Sequence, residues 1–281
     1  MARASALLRR TVKVASAGAD RLRPHVAGVV ILIYHRVGGG SGLEIDLDAG
    51  VFDAQMAALA ASNRVVSLGV ALERLDAPGD VARSEPSVVV TFDDGTSDFT
   101  DVAVPILERH GVYATLYAAT SFIEDGVDFS DNGRPVSWAA LRDACATGLV
   151  DVGSHTHRHL LLDRVSPAEA AEELDRSAGL IGERLGRPAL DFAYPKAVAG
   201  TPEVERLVGD RFRSAALAGT RVNPYRATGS TRRTDPQRLA RSPIQVSDGM
   251  QFFDRKVAGG MALEDSFRRA VNRARYAKVS S

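Results

Sequence analysis

Cysteine is almost absent from this chain. Cys145 stands alone among 281 residues, which excludes a disulfide within the chain and fits a reducing compartment. It lies in WAALRDACATG (138–148), which reads as a helix, where a small buried hydrophobe is a commoner use of cysteine than a catalytic thiol. Long apolar runs are missing as well. The strongest, VAGVVILIY (26–34), falls well short of the roughly 20 residues a bilayer span needs. There is no internal repeat and no low-complexity tract, which excludes solenoids and arrays. Net charge is also absent, with 35 basic residues against 35 acidic ones.

That balance hides an uneven distribution. Residues 1–23 carry a net charge of +5, residues 268–281 carry +5 with no acid, and the body between them carries −10. An acidic body argues against nucleic acid as a partner. Basic ends suit peripheral contact with an anionic membrane, and Leu8, Val12, Ala15, Ala19 and Leu22 recur at helical spacing, as in a short amphipathic helix. Simple packing of this helix on the domain is an equally open reading. Arg9-Arg10 begins RRTVKV, a faint echo of a twin-arginine signal, but VASAGA after it is too short and weakly apolar for an export segment. The expected location is the cytoplasm or the inner face of the membrane. The expected organisation is a basic amphipathic segment over 1–27 and one domain over 28–281.

Within that domain, buried-strand patterns alternate with helical ones. Apolar runs at 28–35 and 87–95 read as strands buried on both faces, and 112–120, 149–155, 189–195, 213–219 and 238–246 read as further strands. Helical patterns fall at 51–62, 98–111, 138–148, 166–186 and 262–276. Ser166 is an N-cap with Pro167 in the first turn, and Gly111 closes its helix. About seven β/α units in one domain point to a closed or nearly closed barrel. The polar motifs all follow strands, where barrel enzymes keep their active sites.

Two motifs carry chemistry. Thr91-Phe92-Asp93-Asp94-Gly95 ends an apolar strand in adjacent carboxylates, a costly arrangement unless a cation or strong donors neutralise them. Ser154-His155-Thr156-His157-Arg158-His159 places His155 and His159 four residues apart. A helical turn would bring both to one face at metal-ligand spacing. One Asp with these two His can hold a divalent metal such as Zn²⁺ and leave positions open for water and substrate. The other Asp is then free to act as a general base. His157 between them should face elsewhere.

TFDDG, HTHRH and FAYP (192–195) together resemble the polysaccharide deacetylase family, the NodB-homology domain or carbohydrate esterase family 4, over about Val29 to Pro243. The resemblance implies an irregular (β/α)₇ barrel, with Asp93 as base and Asp94, His155 and His159 as ligands of a divalent metal, Zn²⁺ by expectation. It implies hydrolysis of N-acetyl groups on an amino-sugar glycan, and an oxyanion held partly by the backbone N–H of Lys196. Many relatives carry an aromatic residue and then Gly after the Pro, where this chain has Lys196 and Ala197. Relatives with an Arg in the third motif use it to hold the base. Ala193 takes that place here, which leaves Arg241 as the candidate replacement. The late Leu-x-His motif is missing. Tyr34-His35-Arg36-Val37 instead resembles the branch associated with exopolysaccharide and poly-N-acetylglucosamine deacetylation. Among six histidines, only His35 follows an apolar strand at the same end as the motifs and is free of the metal, so it is the expected general acid. Two other readings share these residues. One is the same metal core acting on an O-acetyl ester, a peptidoglycan sugar or a cyclic amide. The other is a non-catalytic glycan-binding barrel.

Overall fold

The computed structural model describes residues 2–20, 26–77, 85–130, 132–227, 230–231 and 233–276. The seven expected strands are present: β1 Gly28–Tyr34, β2 Ser87–Asp94, β3 Ala114–Ala118, β4 Val150–Ser154, β5 Asp191–Ala193, β6 Ser214–Ala218 and β7 Leu239–Pro243. Each pairs in parallel with the next. β7 then pairs back on β1 through Ile31↔Arg241, Leu32↔Ser242 and Ile33↔Pro243, which closes a parallel seven-stranded barrel.

Strand alternation divides the core in two. Val29, Ile31, Val89, Tyr117, Ala193, Ala216 and Leu239 fill the barrel interior. Val30, Leu32, Val88, Val90, Phe92 and Leu116 face outward into the larger cluster beneath the helices. Ala193 and Ala216 are small, and the space inside is taken instead by Tyr117 and by the fully buried Arg241.

The helices are α1 Ala2–Ala19, α2 Ala49–Ser62, α3 Leu68–Asp76, α4 Val104–His110, α5 Thr120–Asp125, α6 Trp138–Ala146, α7 Pro167–Leu185, α8 Pro202–Gly209, α9 Gly249–Val257 and α10 Ala262–Tyr276. Ser166 caps α7 by accepting from the Glu169 N–H at 3.2 Å, and Gly111 ends α4 at a φ of +63°, as their residue types require. Cys145 is buried in α6, where burial pushes its thiol pKa up. The helix expected over 98–111 opens with a π-helical turn, Phe99–Ala103, that runs into α4. The β6–β7 connection holds no α-helix among the described residues. Asn223–Pro224 runs antiparallel to Gly28-Val29. The Asn223 side chain donates to the Val29 and Ala240 carbonyls and accepts from the Ala240 N–H, which stitches the β1–β7 seam.

α1 packs against α9 and α10, but not through the expected stripe. Lys13, Ser16 and Ala17 turn inward, Val12 and Ala19 are half-buried, and Ala15 is exposed. The side chain of Leu8, and Leu22 entirely, fall outside the described residues. Charge explains the difference. Lys13 pairs with buried Asp248, whose carboxylate also binds buried Lys256 at 2.8 Å, and Glu264 lies 3.6 Å from Lys13 and 3.4 Å from Lys256. Two cations against two acids cancel, so all four can be buried. A hydrophobicity pattern counts Lys13 as polar and places it outside.

Candidate active site

The register sets the strand ends side by side. Tyr34 lies opposite Phe92, Asp94 opposite Ala118, Ala118 opposite Ser154, and Ser154 opposite Phe192. His35, Asp93, Asp94, His155 and the FAYP segment therefore emerge at one end of the barrel. Strict alternation would send Asp94 outward with Phe92. A φ of +75° at Asp94 breaks the alternation, and its Oδ1 comes within 3.4 Å of His159 Nε2 and 3.6 Å of His155 Nε2.

His155 and His159 meet with ring centroids 5.0 Å apart. They do so without the helical turn expected from their spacing. Residues 155–161 form a loop, with left-handed backbone at Thr156 (φ +65°) and His159 (φ +58°). Lys196 (φ +52°) and Ala197 (φ +56°) are left-handed as well. None of these is glycine, so each stores about 1–3 kcal/mol of strain, and strain of this kind concentrates at functional sites. His157 is buried and bonds Thr120 Oγ1 through Nδ1 at 3.0 Å, away from the pair. His110 bonds Asp53 at 2.9 Å on α2, outside the site, and His25 lies outside the described residues.

The donor set fits a divalent ion. One atom from each of Asp94, His155 and His159 falls within 4.8 Å of the others. A tetrahedral ion with bonds of 2.0–2.2 Å separates its ligand atoms by roughly 3.3–3.6 Å, which the two Asp94–His distances match. His155 Nδ1 is 2.8 Å from the Ala193 carbonyl oxygen. That bond puts the proton on Nδ1 and leaves the Nε2 lone pair facing Asp94, the usual support for a ligating histidine. Burial pushes the His155 pKa down to about 4, so the ring is neutral at pH 7, as ligation requires. Burial would raise the Asp94 pKa, but the hydrogen bond to His159 and the His35, His159 and His155 charges outweigh it and hold that carboxyl far below its usual range. The Ala193 side chain is therefore no loss at this point, because its carbonyl makes the contact.

Asp93 is gripped by Arg241. Nη1 reaches Oδ1 at 2.6 Å and Nη2 reaches Oδ2 at 2.9 Å, with both side chains almost wholly buried. Nη1 also donates to Thr91 Oγ1 at 3.1 Å, and the guanidinium stacks 4.9 Å over the Tyr117 ring. Burial alone would raise the Asp93 pKa. The Arg241 charge, with smaller help from His155 and His35, holds it below the ordinary carboxylate range. Asp93 is therefore ionised at neutral pH.

His35, Asp93, His155, Lys196 and Arg241 line one cavity of about 170 Å³. The metal-type cluster adjoins it through His155. His35 Nδ1 is buried without a hydrogen-bond partner, and the Lys196 side chain is exposed at the rim. The structure thus gathers all seven residues singled out in the sequence. It adds three that the sequence did not flag. Thr91 and Tyr117 point inward beside Arg241, and Arg268 reaches the cavity from α10. Strand alternation places Thr91 and Tyr117 inside. Nothing in the local sequence of α10 marks Arg268.

Comparison with known proteins bears on this site. Residues 80–205 match the family model described as polysaccharide deacetylase. That match covers 126 of the 281 residues. YxkH of Bacillus subtilis, itself named for that family, is 25% identical over 224 residues, which cover 80% of this chain and 73% of YxkH. IcaB from Ammonifex degensii superposes with a TM-score of 0.67 at 24% identity, covering 82% of this chain and 97% of that one. The Streptococcus pyogenes deacetylase PplD, solved in complex with acetate, superposes with a TM-score of 0.66 at 18% identity, covering 83% and 99%. The shared architecture is the closed seven-stranded barrel, and the deacetylase match spans the TFDDG, HTHRH and FAYP segments.

Proposed function

We propose that this chain is a polysaccharide deacetylase, a metal-dependent hydrolase that removes N-acetyl groups from an amino-sugar polysaccharide or glycan precursor. One observation carries the reading: an ionised Asp93, fixed at both oxygens by Arg241, next to an Asp94–His155–His159 cluster of metal-binding dimensions. A divalent ion held by these three would supply Lewis acidity at the acyl carbonyl and acidify a water molecule. Asp93 takes the proton from the attacking water. Each of its oxygens keeps a lone pair beyond the one Arg241 uses. The backbone N–H of Lys196, on a left-handed turn at the cavity wall, faces the oxyanion. His35, with a free Nδ1, protonates the departing amine. The Tyr34-His35-Arg36-Val37 segment, by its resemblance to that branch, supports an exopolysaccharide as substrate.

The test is acetate release by the metal-stripped protein, reloaded with one divalent ion at a time, on N-acetylated and O-acetylated oligosaccharides. Ion-dependent release from the N-acetyl substrates is expected. Protein that holds one ion and releases acetate from neither class overturns the reading.

Peripheral contact with an anionic membrane belongs to the same proposal. No helix among the described residues is long and apolar enough to cross a bilayer. Residues 1–23 carry a net charge of +5 and residues 268–281 carry five bases and no acid, and α10 exposes Leu263, Phe267 and Val271, four residues apart on one face. Cosedimentation with vesicles rich in phosphatidylserine should exceed that with neutral vesicles, and equal recovery removes the idea.

A further inference from the structure

α10 lies beyond the segment that matches the deacetylase family, yet it supplies a wall of the catalytic cavity. Arg268 stands there with His35, Asp93, His155, Lys196 and Arg241. Its Nη2 is anchored by Asp265 Oδ1 at 2.5 Å and Thr220 Oγ1 at 3.2 Å. Its Nη1 is buried and has no hydrogen-bond partner. The side chain is 19% exposed, so water does little to satisfy that atom.

No acid inside the cavity is free to pair with it. Asp93 already pairs with Arg241 through both oxygens, and Asp94 faces His155 and His159. Lys196, on the same cavity, makes no ion pair among the described residues and adds a second cation. With Arg241 paired to Asp93 and Arg268 to Asp265, Lys196 is the uncompensated cation on this cavity, in a body whose net charge is −10 between residues 24 and 267. A diffuse field cannot attract an anionic glycan, since the surroundings are acidic and would repel it. Local recognition can.

The position of Arg268 is also built. The first turn of α10 is tied to α1 and to the residue after it. The Asp20 carboxylate accepts from the Met261 N–H at 2.8 and 3.0 Å, and Ser16 Oγ accepts from the Glu264 N–H at 3.2 Å. The buried Lys13, Lys256, Asp248 and Glu264 group holds the same end, and Lys256 donates to the carbonyl of Pro243 at the end of β7 at 2.8 Å. Arg268 follows one turn later. A guanidinium on a cavity wall, fixed at one nitrogen and with the other unpaired, is suited to a carboxylate or phosphate oxygen once its side chain shifts to expose that nitrogen.

We propose that Arg268 binds an oxyanion carried by the glycan next to the acylated amine, so that the substrate is an acidic amino-sugar glycan and not a neutral one. This rests on the proposed deacetylase reading and narrows its substrate class.

Titration calorimetry on the full chain tests it without turnover. The probes are a hexasaccharide alternating N-acetylglucosamine with glucuronate, an N-acetylglucosamine oligomer joined by phosphodiesters, and neutral chitohexaose. The unaltered protein should bind at least one acidic probe more tightly than chitohexaose. Which acidic probe wins distinguishes carboxylate from phosphate. Arg268→Ala should reduce the acidic-to-neutral affinity ratio by roughly 10- to 100-fold, the range for a lost charge-assisted hydrogen bond, and Arg268→Lys should restore part of it. Circular dichroism establishes that both variants are folded. Equal affinity of the unaltered protein for acidic and neutral probes overturns the proposal. So does loss of all three probes by the same factor in Arg268→Ala. Acetate release from p-nitrophenyl acetate, run alongside, reports on the hydrolytic site separately. Its presence with no acidic preference sinks this inference alone, and its absence counts against the hydrolase reading alone.

Discussion

Replacing Arg241 with Gln removes a charge and keeps much of the volume. In the structure Arg241 is 1% exposed and makes both hydrogen bonds that hold Asp93. Without it, Asp93 is a buried carboxylate with no full positive charge beside it, and losing one partner of a buried pair costs about 3–5 kcal/mol. The cost should depend on pH. In the unaltered protein the folded-state pKa of Asp93 is depressed. Its ionisation therefore stabilises the fold above the unfolded value of about 3.9, and that stability is lost as pH falls through the folded value. In Arg241→Gln, burial outweighs the smaller help from His155 and His35 and raises the folded pKa. Ionisation then opposes folding, and stability falls as pH rises past 3.9. The difference between the two proteins should be near its full size at pH 7 and shrink toward pH 4, where the variant can keep a neutral acid. Urea unfolding of metal-free protein at pH 7 and pH 4.5 measures this. A difference below about 1 kcal/mol at pH 7, or one of equal size at both pH values, refutes the argument.

Three further outcomes follow from the site. His159→Ala should lose high-affinity binding of one divalent ion, read by competition with a zinc indicator, while His157→Ala should keep it, and the reverse would reassign the ligands. His35→Ala should retain the ion and lower kcat on an N-acetyl substrate by roughly 10²–10⁴-fold, with a much smaller loss on an activated ester whose leaving group needs no proton. Equal losses on both would make His35 a positioning residue. Ala197→Gly should raise stability by about 1 kcal/mol by relieving a left-handed residue at φ +56°, visible in thermal unfolding, and a destabilised variant would contradict the strain argument.

Much of the barrel is legible in the sequence because a parallel strand buried on both faces must be apolar throughout. GVVILIY and SVVVTF announce β1 and β2 on that ground, and the change to His35 and to Asp93-Asp94 marks where they leave the core. Arg241 could be suspected only because Ala193 left the base without a holder, and its bidentate grip on Asp93 depends on the β1–β7 closure that places it. The left-handed turns at Asp94, Thr156, His159, Lys196 and Ala197 carry no glycine to signal them, so spacing alone leaves a helical turn at His155–His159 open. α3 and α8 carried cap signals at Ser67 and at Thr201-Pro202 that were readable but too short to weigh. α10 was foreseen as a helix, but its partner surface was not. Its place over the cavity depends on a buried four-charge group drawn from α1, α9, α10 and the turn before α9, and no local pattern encodes that.

The central claim is that Asp93 and Asp94 divide the work, one as base and one as ligand. Asp93→Asn tests it most directly, with bound metal and single-turnover acetate release measured on the same sample. The expected result is one divalent ion per chain, held with near-normal affinity, and a chemical step lost by orders of magnitude because the amide accepts no proton from water. Near-normal turnover, or loss of the ion, would contradict it.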